Sequence, residues 1–147
     1  MRIFKSVCAL VAGAFSFYAT AEYKLPSYEK TTLSNGLTIY LMEQKEVPLI
    51  DVSVVVKVGA IEDKTLAGLT SFTVDNLVLG TKELDKKSLD EKLDFIGADV
   101  FGRANHEFTT IGASYASKDN ETVLPILRDL VLTPRFDQTE FDKLKKR

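Results

Sequence analysis

Apolar and polar positions alternate clearly at Leu37–Glu43, where Leu37, Ile39 and Leu41 interleave with Thr38, Tyr40 and Met42. That is a strand period. Thr31–Ser34 and then Asn35-Gly36 come just before it, so the stretch predicts a β-hairpin. Asn-Gly supplies the two positive φ angles of a tight type I′ turn. Gln44–Val47 reads as a loop, and Pro48 opens a further strand, Leu49–Val58. Ile50, Val52, Val54, Val56 and Val58 fall on one face of it, and Asp51, Ser53, Val55 and Lys57 on the other. Five β-branched residues on one face predict a buried sheet surface. Gly59-Ala60 ends this strand, and Ile61–Thr65 is expected to be a loop.

The period then becomes helical. Within Gly68–Thr81, Leu69, Phe72 and Leu77 with Val78 recur at helix spacing, and Gly80 stands where a C-terminal glycine belongs. A second helix is expected from Ser88, with Ser88 and Glu91 as a capping box, Leu89, Leu93 and Ile96 on its apolar face, and Gly97 as its end. Asp99–Ser114 predicts two strands joined near Ala104–His106, with Phe108 and Ile111 packing inward. Val123, Ile126, Leu127, Leu130 and Val131 form the i, i+3, i+4, i+7, i+8 stripe of a third helix. Pro125 suits that helix only in its first turn, where a missing amide costs little. Thr133-Pro134 ends it. A fourth helix begins at Asp137, with Glu140 completing a second capping box and Phe141 and Leu144 facing inward. There is no internal repeat. Strands in antiparallel groups and helices in pairs predict an α+β fold, an antiparallel sheet with paired helices, rather than a doubly wound sheet.

Charge and composition change the picture at the N-terminus. Arg2 and Lys5 precede a mostly apolar run, Val7–Tyr18, and Ala19-Thr20-Ala21 has the small-x-small form of a cleavage site. Residues 1–21 are therefore expected to be a secretory signal peptide. The run is shorter than the roughly 20 apolar residues that a membrane anchor needs. Residues 22–30, with Pro26, form an extended leader, and 31–147 is the folded part. Loss of Arg2 and Lys5 leaves 17 basic against 21 acidic residues, a net charge of −4. No basic stripe is present, which argues against a nucleic-acid partner. Cys8, the only cysteine, leaves with the signal, and a cysteine-free chain suits an oxidising compartment. Lys5-Ser6-Val7 lacks the apolar and small lead-in of a lipoprotein site. The chain is expected to be secreted across an inner membrane, to the periplasm if the source is a Gram-negative bacterium, with no membrane association after cleavage.

Three motifs in order carry a family resemblance: Leu33-Ser34-Asn35-Gly36-Leu37, the frame Gly68, Leu69, Phe72, Leu77, Gly80 and Thr81, and Pro134-x-Phe136. The chain resembles the pitrilysin/insulinase-type zinc metallopeptidases, which include mitochondrial processing peptidases and core subunits of the cytochrome bc1 complex. The resemblance covers about Thr31–Arg147. It implies a metallopeptidase-like domain that continues beyond the last residue, with a second similar domain after it. Active members read G-L-A-H-F-L-E-H-M-x-F-x-G-T along the central helix. The two histidine positions are Ser71 and Asp75 here, and the glutamate position is Val74. Secreted bacterial members without the motif often read G-L-x-x-L-T-x-x-L-L-x-x-G-T, which Thr73, Leu77, Gly80 and Thr81 fit better. Ile96-Gly97-Ala98 and Arg103–Thr109 also look like that branch. The family's third metal ligand, a glutamate, would lie beyond Arg147.

The active motif works through helix geometry. Histidines at i and i+4 present both imidazoles to one zinc, and a glutamate at i+3 reaches the bound water as general base. Ser71 is a poor zinc ligand, Asp75 alone offers one carboxylate, and Val74 cannot take a proton. With one histidine in the chain, no catalytic residue, metal ligand or cofactor site is assigned, zinc being the cofactor of active members only. Ser71 with Asp75 could form half of a nucleophile site, but no base is placed beside it. A polar helix face lining a cavity or solvent is the stronger reading. His106 beside Glu107 reads as an ordinary histidine near a turn, since a metal needs further converging ligands. Asp85-Lys86-Lys87 and Lys143–Arg147 read as solvated charge. In the resembled family an edge strand pairs with substrate peptide through main-chain hydrogen bonds; Asp51–Lys57 or the strand near Asp99 would serve, unless both are interior.

The expected function is that of a peptidase-family homologue without the zinc motif. It would be a non-catalytic partner that helps a catalytic sister subunit, or a second copy of itself, to enclose peptide substrates. The alternatives are a zinc-dependent metalloendopeptidase with an atypical site and a structural or assembly subunit that handles no peptide.

Overall fold

The computed structural model describes residues 26–146. The signal segment with Cys8, the first four leader residues and Arg147 lie outside the described residues. Those described form two units, divided between Gln44 and Lys45.

The first unit is the expected hairpin. β1 (Glu29–Thr32) pairs antiparallel with β2 (Thr38–Leu41), with Thr32 opposite Thr38. The strand thus begins inside the expected leader, at Glu29. The turn is not type I′, because only Gly36 has a positive φ, 87°. Leu33 N–H donates to Leu37 O at 2.8 Å and Gly36 N–H to Leu33 O at 2.9 Å, closing a three-residue loop with its glycine left-handed. The Asn35 side chain accepts from Leu37 N–H at 3.1 Å. This local bond satisfies Asn35 without a left-handed backbone. The Lys30 ammonium lies 5.4 Å from the centre of the Tyr40 ring, which Tyr28 also meets at 5.9 Å.

The second unit is a three-stranded antiparallel sheet in the order β3-β5-β4, with four helices. β3 is Leu49–Val56, β4 is Asp99–Ala104 and β5 is Thr109–Ala116. β5 lies in the middle, so Thr109, Ile111, Ala113 and Tyr115 are buried on one face. The register places Val52, Ala113 and Val100 side by side, and Val54, Ile111 and Gly102 in the next row. On β3 the expected alternation holds for Ile50, Val52 and Val54, which are half-buried. Val56 and Val58 are exposed instead, because β3 is an edge strand and pairing ends at Val56. Both strands considered for peptide pairing, β3 and β4, are edges of the sheet among the described residues. Phe108 is exposed too, since it lies in the connection before β5 begins.

α1 (Leu69–Leu77) and α2 (Lys86–Ile96) join β3 to β4; α3 (Asn120–Leu132) and α4 (Gln138–Leu144) follow β5. α2 starts earlier than its capping-box pattern suggests. Asp85 is the N-cap, and its carboxylate accepts from Ser88 N–H at 2.8 Å. An aspartate one turn upstream with a free side chain outcompetes serine for the free amides. Gly97 closes α2 in the left-handed region, φ 66°. Asp137 caps α4, accepting from Thr139 and Glu140 N–H. Glu140 does not complete the box; it pairs with Lys143 at 2.6 Å. Pro125 sits in the second turn of α3, not the first, because the helix begins at Asn120 after a 3₁₀ turn at Ser117–Asp119. It forgoes one backbone bond there, and the buried stripe Val123, Ile126, Leu127 and Leu130 holds the helix in place regardless.

The core has two neighbouring parts. Ile111, Ala113 and Tyr115 of β5 pack with Val123 and Leu127 of α3; Leu89 and Leu93 of α2 pack with Ile126 and Leu130 of α3. Tyr115 is 2% exposed, and its hydroxyl donates to Asn120 Oδ1 at 2.9 Å. Burial raises its pKa. No helix among the described residues is long and apolar enough to cross a membrane.

Candidate functional site

α1 carries Ser71, Val74 and Asp75, the positions expected to correspond to the motif, and its surroundings decide what those residues can do. Its start is not capped from within. Gly68, the N-cap, is left-handed at φ 88° and carries no side chain to accept a bond. The acceptor comes from Asp63, at the end of a 3₁₀ turn, Ala60–Asp63, where the sequence suggested plain loop. Asp63 is 7% exposed. One carboxylate oxygen accepts from Gly68 N–H at 2.9 Å; the other accepts from Thr70 N–H at 2.9 Å and from the Thr70 hydroxyl.

The far end of α1 is held by the residues that carried the family frame. The helix stops at Leu77, three residues before the glycine expected to end it. Gly80 has φ 150°, and a Cβ there would lie 2.8 Å from Leu84 O. Its carbonyl accepts from Arg135 N–H at 3.0 Å, Thr81 bridges to Pro134, and Lys82 N–H donates to Thr133 O. Thr81 is 2% exposed, and its hydroxyl accepts from Leu84 N–H at 3.0 Å. The Gly80-Thr81 and Pro134-x-Phe136 motifs are thus parts of one joint.

Between these ends, α1 turns its residues unequally. Ser71 and Asp75 share the exposed side at i and i+4. Val74 is buried, 4% exposed, and faces β4. A Cβ on Gly102 would lie 2.6 Å from Val74 Cγ1 and 3.1 Å from Val74 O, so the helix sits directly on the strand. Phe72 packs edge-on against Phe141 of α4, ring centres 4.9 Å apart. Leu69, expected on the apolar face, is exposed, and buried Asn76 takes a place on the inner side with both amide atoms unpaired. Gly102→Ala is therefore expected to destabilise the fold by about 1–3 kcal/mol through overpacking. A double-mutant cycle with Val74→Ala should give a coupling of about 0.5–3 kcal/mol, measured by denaturant unfolding.

These residues do not suit zinc. Ser71 offers a neutral hydroxyl, Asp75 one carboxylate, and Val74 an apolar side chain pressed against a strand. His106 is exposed in the β4–β5 connection. Among the described residues, no three histidine, cysteine, aspartate or glutamate side chains come together as a metal site.

The helix starts have an acid-sensitive character. Asp63, Asp85 and Asp137 all have pKa values lowered from the ordinary 3.8. The main cause is the Thr70 hydroxyl for Asp63, Ser88 N–H for Asp85 and Thr139 N–H for Asp137. Each carboxylate stabilises the folded state above pH 3.8, and that contribution is lost as pH falls through its lowered folded-state value. Unfolding midpoints are expected to drop below about pH 4, and to drop less steeply in an Asp85→Asn, Asp137→Asn variant.

The family model for the insulinase peptidases, peptidase family M16, matches residues 38–147. The chain belongs to the M16 family. Among curated relatives, an uncharacterised zinc protease of Rickettsia bellii is 27% identical over 118 residues, covering 80% of this chain and 29% of that protein. The β subunit of the mitochondrial-processing peptidase of Lentinula edodes is 28% identical over 144 residues, 97% of this chain and 30% of that one. The chain thus spans less than a third of the length of these relatives. Two solved structures share the M16 fold. An inactive M16 domain from Pseudomonas fluorescens superposes with a TM-score of 0.76 at 19% identity, and a protease from Helicobacter pylori with 0.71 at 21%. They cover 82% and 83% of this chain, and 30% of each of those chains is matched. In this M16 chain the α+β expectation holds, with its antiparallel sheet and its helices.

Asp63 and Gly102 were not singled out from the sequence. Signals for both existed: an acid a few residues before a helix whose N-cap is glycine, and a glycine inside a strand pattern, which marks close backbone approach.

Proposed function

We propose that this M16 chain is a non-catalytic member, a partner subunit that helps a zinc-bearing sister enclose peptide substrates. The arrangement on α1 supports this reading. The position that would carry the general base is Val74, packed into Gly102 on β4, while Ser71 and Asp75 form a short polar face open to solvent. A wall that contacts peptide without cleaving it needs a surface like this and no metal. The inactive M16 domain among the structural neighbours is similar in fold. On this reading, residues 1–21 direct the chain out of the cytoplasm, and pairing takes place in the periplasm of a Gram-negative host.

The zinc-protease relatives favour a second reading, a metallopeptidase whose metal site differs from the usual one. A cleavage assay on a quenched peptide library separates the two. The chain alone should give no cleavage above background, and mixing it with an H-x-x-E-H-bearing M16 chain from the same source should raise that chain's turnover at least tenfold. Cleavage by this chain alone that a zinc chelator abolishes would establish the second reading. An unchanged rate on mixing would refute the partner role.

A further inference from the structure

The turn between β3 and α1 does more than connect them. Its first amides reach one way: Ala60 N–H donates to Asn105 O and Ile61 N–H to His106 O, each at 2.9 Å. Both acceptors lie in the β4–β5 connection, whose residues His106, Glu107 and Phe108 are exposed. Its last residue reaches the other way, since Asp63 takes three donors from Gly68 and Thr70 at the start of α1. The Thr70 hydroxyl also lies 3.3 Å from Gly59 O. Gly59 lies so close to the connection that a Cβ there would fall 2.6 Å from the backbone nitrogen and carbonyl carbon of Glu107. The turn is thus bonded at both ends, to two segments far apart in sequence.

We propose that Gly59–Asp63 is a strap coupling the β4–β5 connection to the first turn of α1, with Asp63 as its positioning residue. Gly68 cannot cap its own helix, so the order of the turn that carries Thr70 and Ser71 depends on where the strap holds the Asp63 carboxylate. A ligand or protein that moves the exposed connection thereby loosens or tightens the Ser71 end of the helix. Coupling of this kind is reciprocal. The strap acts on α1 whether or not that helix faces a peptide, so its test stands apart from the cleavage assay.

The test is hydrogen exchange on the full chain, residue by residue, for the wild type, Asp63→Asn and Gly59→Ala. An asparagine keeps one accepting oxygen and loses the other, so Asp63→Asn should speed exchange of the Gly68, Thr70 and Phe72 amides at least about tenfold, since hydrogen bonds to charged groups are among the stronger ones. It should also speed exchange at Ala60 and Ile61, which bond to the other segment and not to Asp63. Gly59→Ala should act in the opposite direction along the strap, opening Ala60 and Ile61 and with them Gly68 and Thr70. The Ala113 and Tyr115 amides of β5 should keep their rates in both variants. Faster exchange confined to Gly68–Phe72 would make Asp63 a local cap and overturn the strap. An equal acceleration in β5 would make it a general stabiliser, which also overturns it. If Asp63→Asn does not fold, Thr70→Val removes the hydroxyl and leaves both backbone bonds. It should give the same pattern at smaller amplitude, and no change at Ala60 and Ile61 would again overturn the proposal.

Discussion

Val74→Glu is expected to destabilise the protein by about 3–5 kcal/mol, the range for a buried charge without a partner. Native domains have roughly 5–15 kcal/mol in total, so this is a large fraction. The side chain is 4% exposed and already touches the space above Gly102, so a longer carboxylate has neither room nor water. It would have to push α1 off β4 or stay protonated. The other two motif positions behave differently. Ser71→His and Asp75→His are exposed substitutions, each expected to change stability by no more than about 0.5 kcal/mol. Denaturant midpoints of the three single variants check this directly. Histidine is thus easily accommodated at positions 71 and 75 of this fold, and glutamate at position 74 is not. Equal midpoints for all three would mean that Val74 is free to turn outward.

Leu130→Ala has the second large effect, about 2–5 kcal/mol. Leu130 is fully buried and joins Leu89 and Leu93 of α2 to Ile126 on its own helix. Removing it leaves a cavity lined from two helices that can close only by moving one of them. Leu132 on the same helix is 70% exposed, so Leu132→Ala serves as the control and should change stability by no more than about 0.5 kcal/mol. A calorimetric comparison of the two variants tests the assignment of the core. Similar melting temperatures would contradict it.

The fold was legible where periodicity is strong. The α3 stripe and the inward residues of α2 stand as the spacing implies, because a repeated apolar face has one way to be buried. The motifs Gly80-Thr81 and Pro134-x-Phe136 were legible as a frame, but their physical reason was not, since the joint forms between segments distant in the chain. Two departures share a cause: a local rule yielded to a competing local bond. Asn35 used its side chain in the turn and left only Gly36 left-handed. Asp85 took the N-cap from Ser88. At the candidate site, the expectation of no zinc chemistry rested on Ser71, Val74 and Asp75 as residue types. That Val74 is packed into Gly102 required the strand to be in place, and so did the reach of Asp63 across to Thr70.

The measurement that bears most directly on the account is zinc per chain, by elemental analysis of the purified protein after mild dialysis. The geometry of α1 predicts a value near zero, since Val74 is buried and Ser71 and Asp75 offer no nitrogen or sulfur donor. A value close to one zinc per chain would contradict the non-catalytic reading, and loss of that zinc in Asp75→Ala or His106→Ala would then identify the residue that holds the metal.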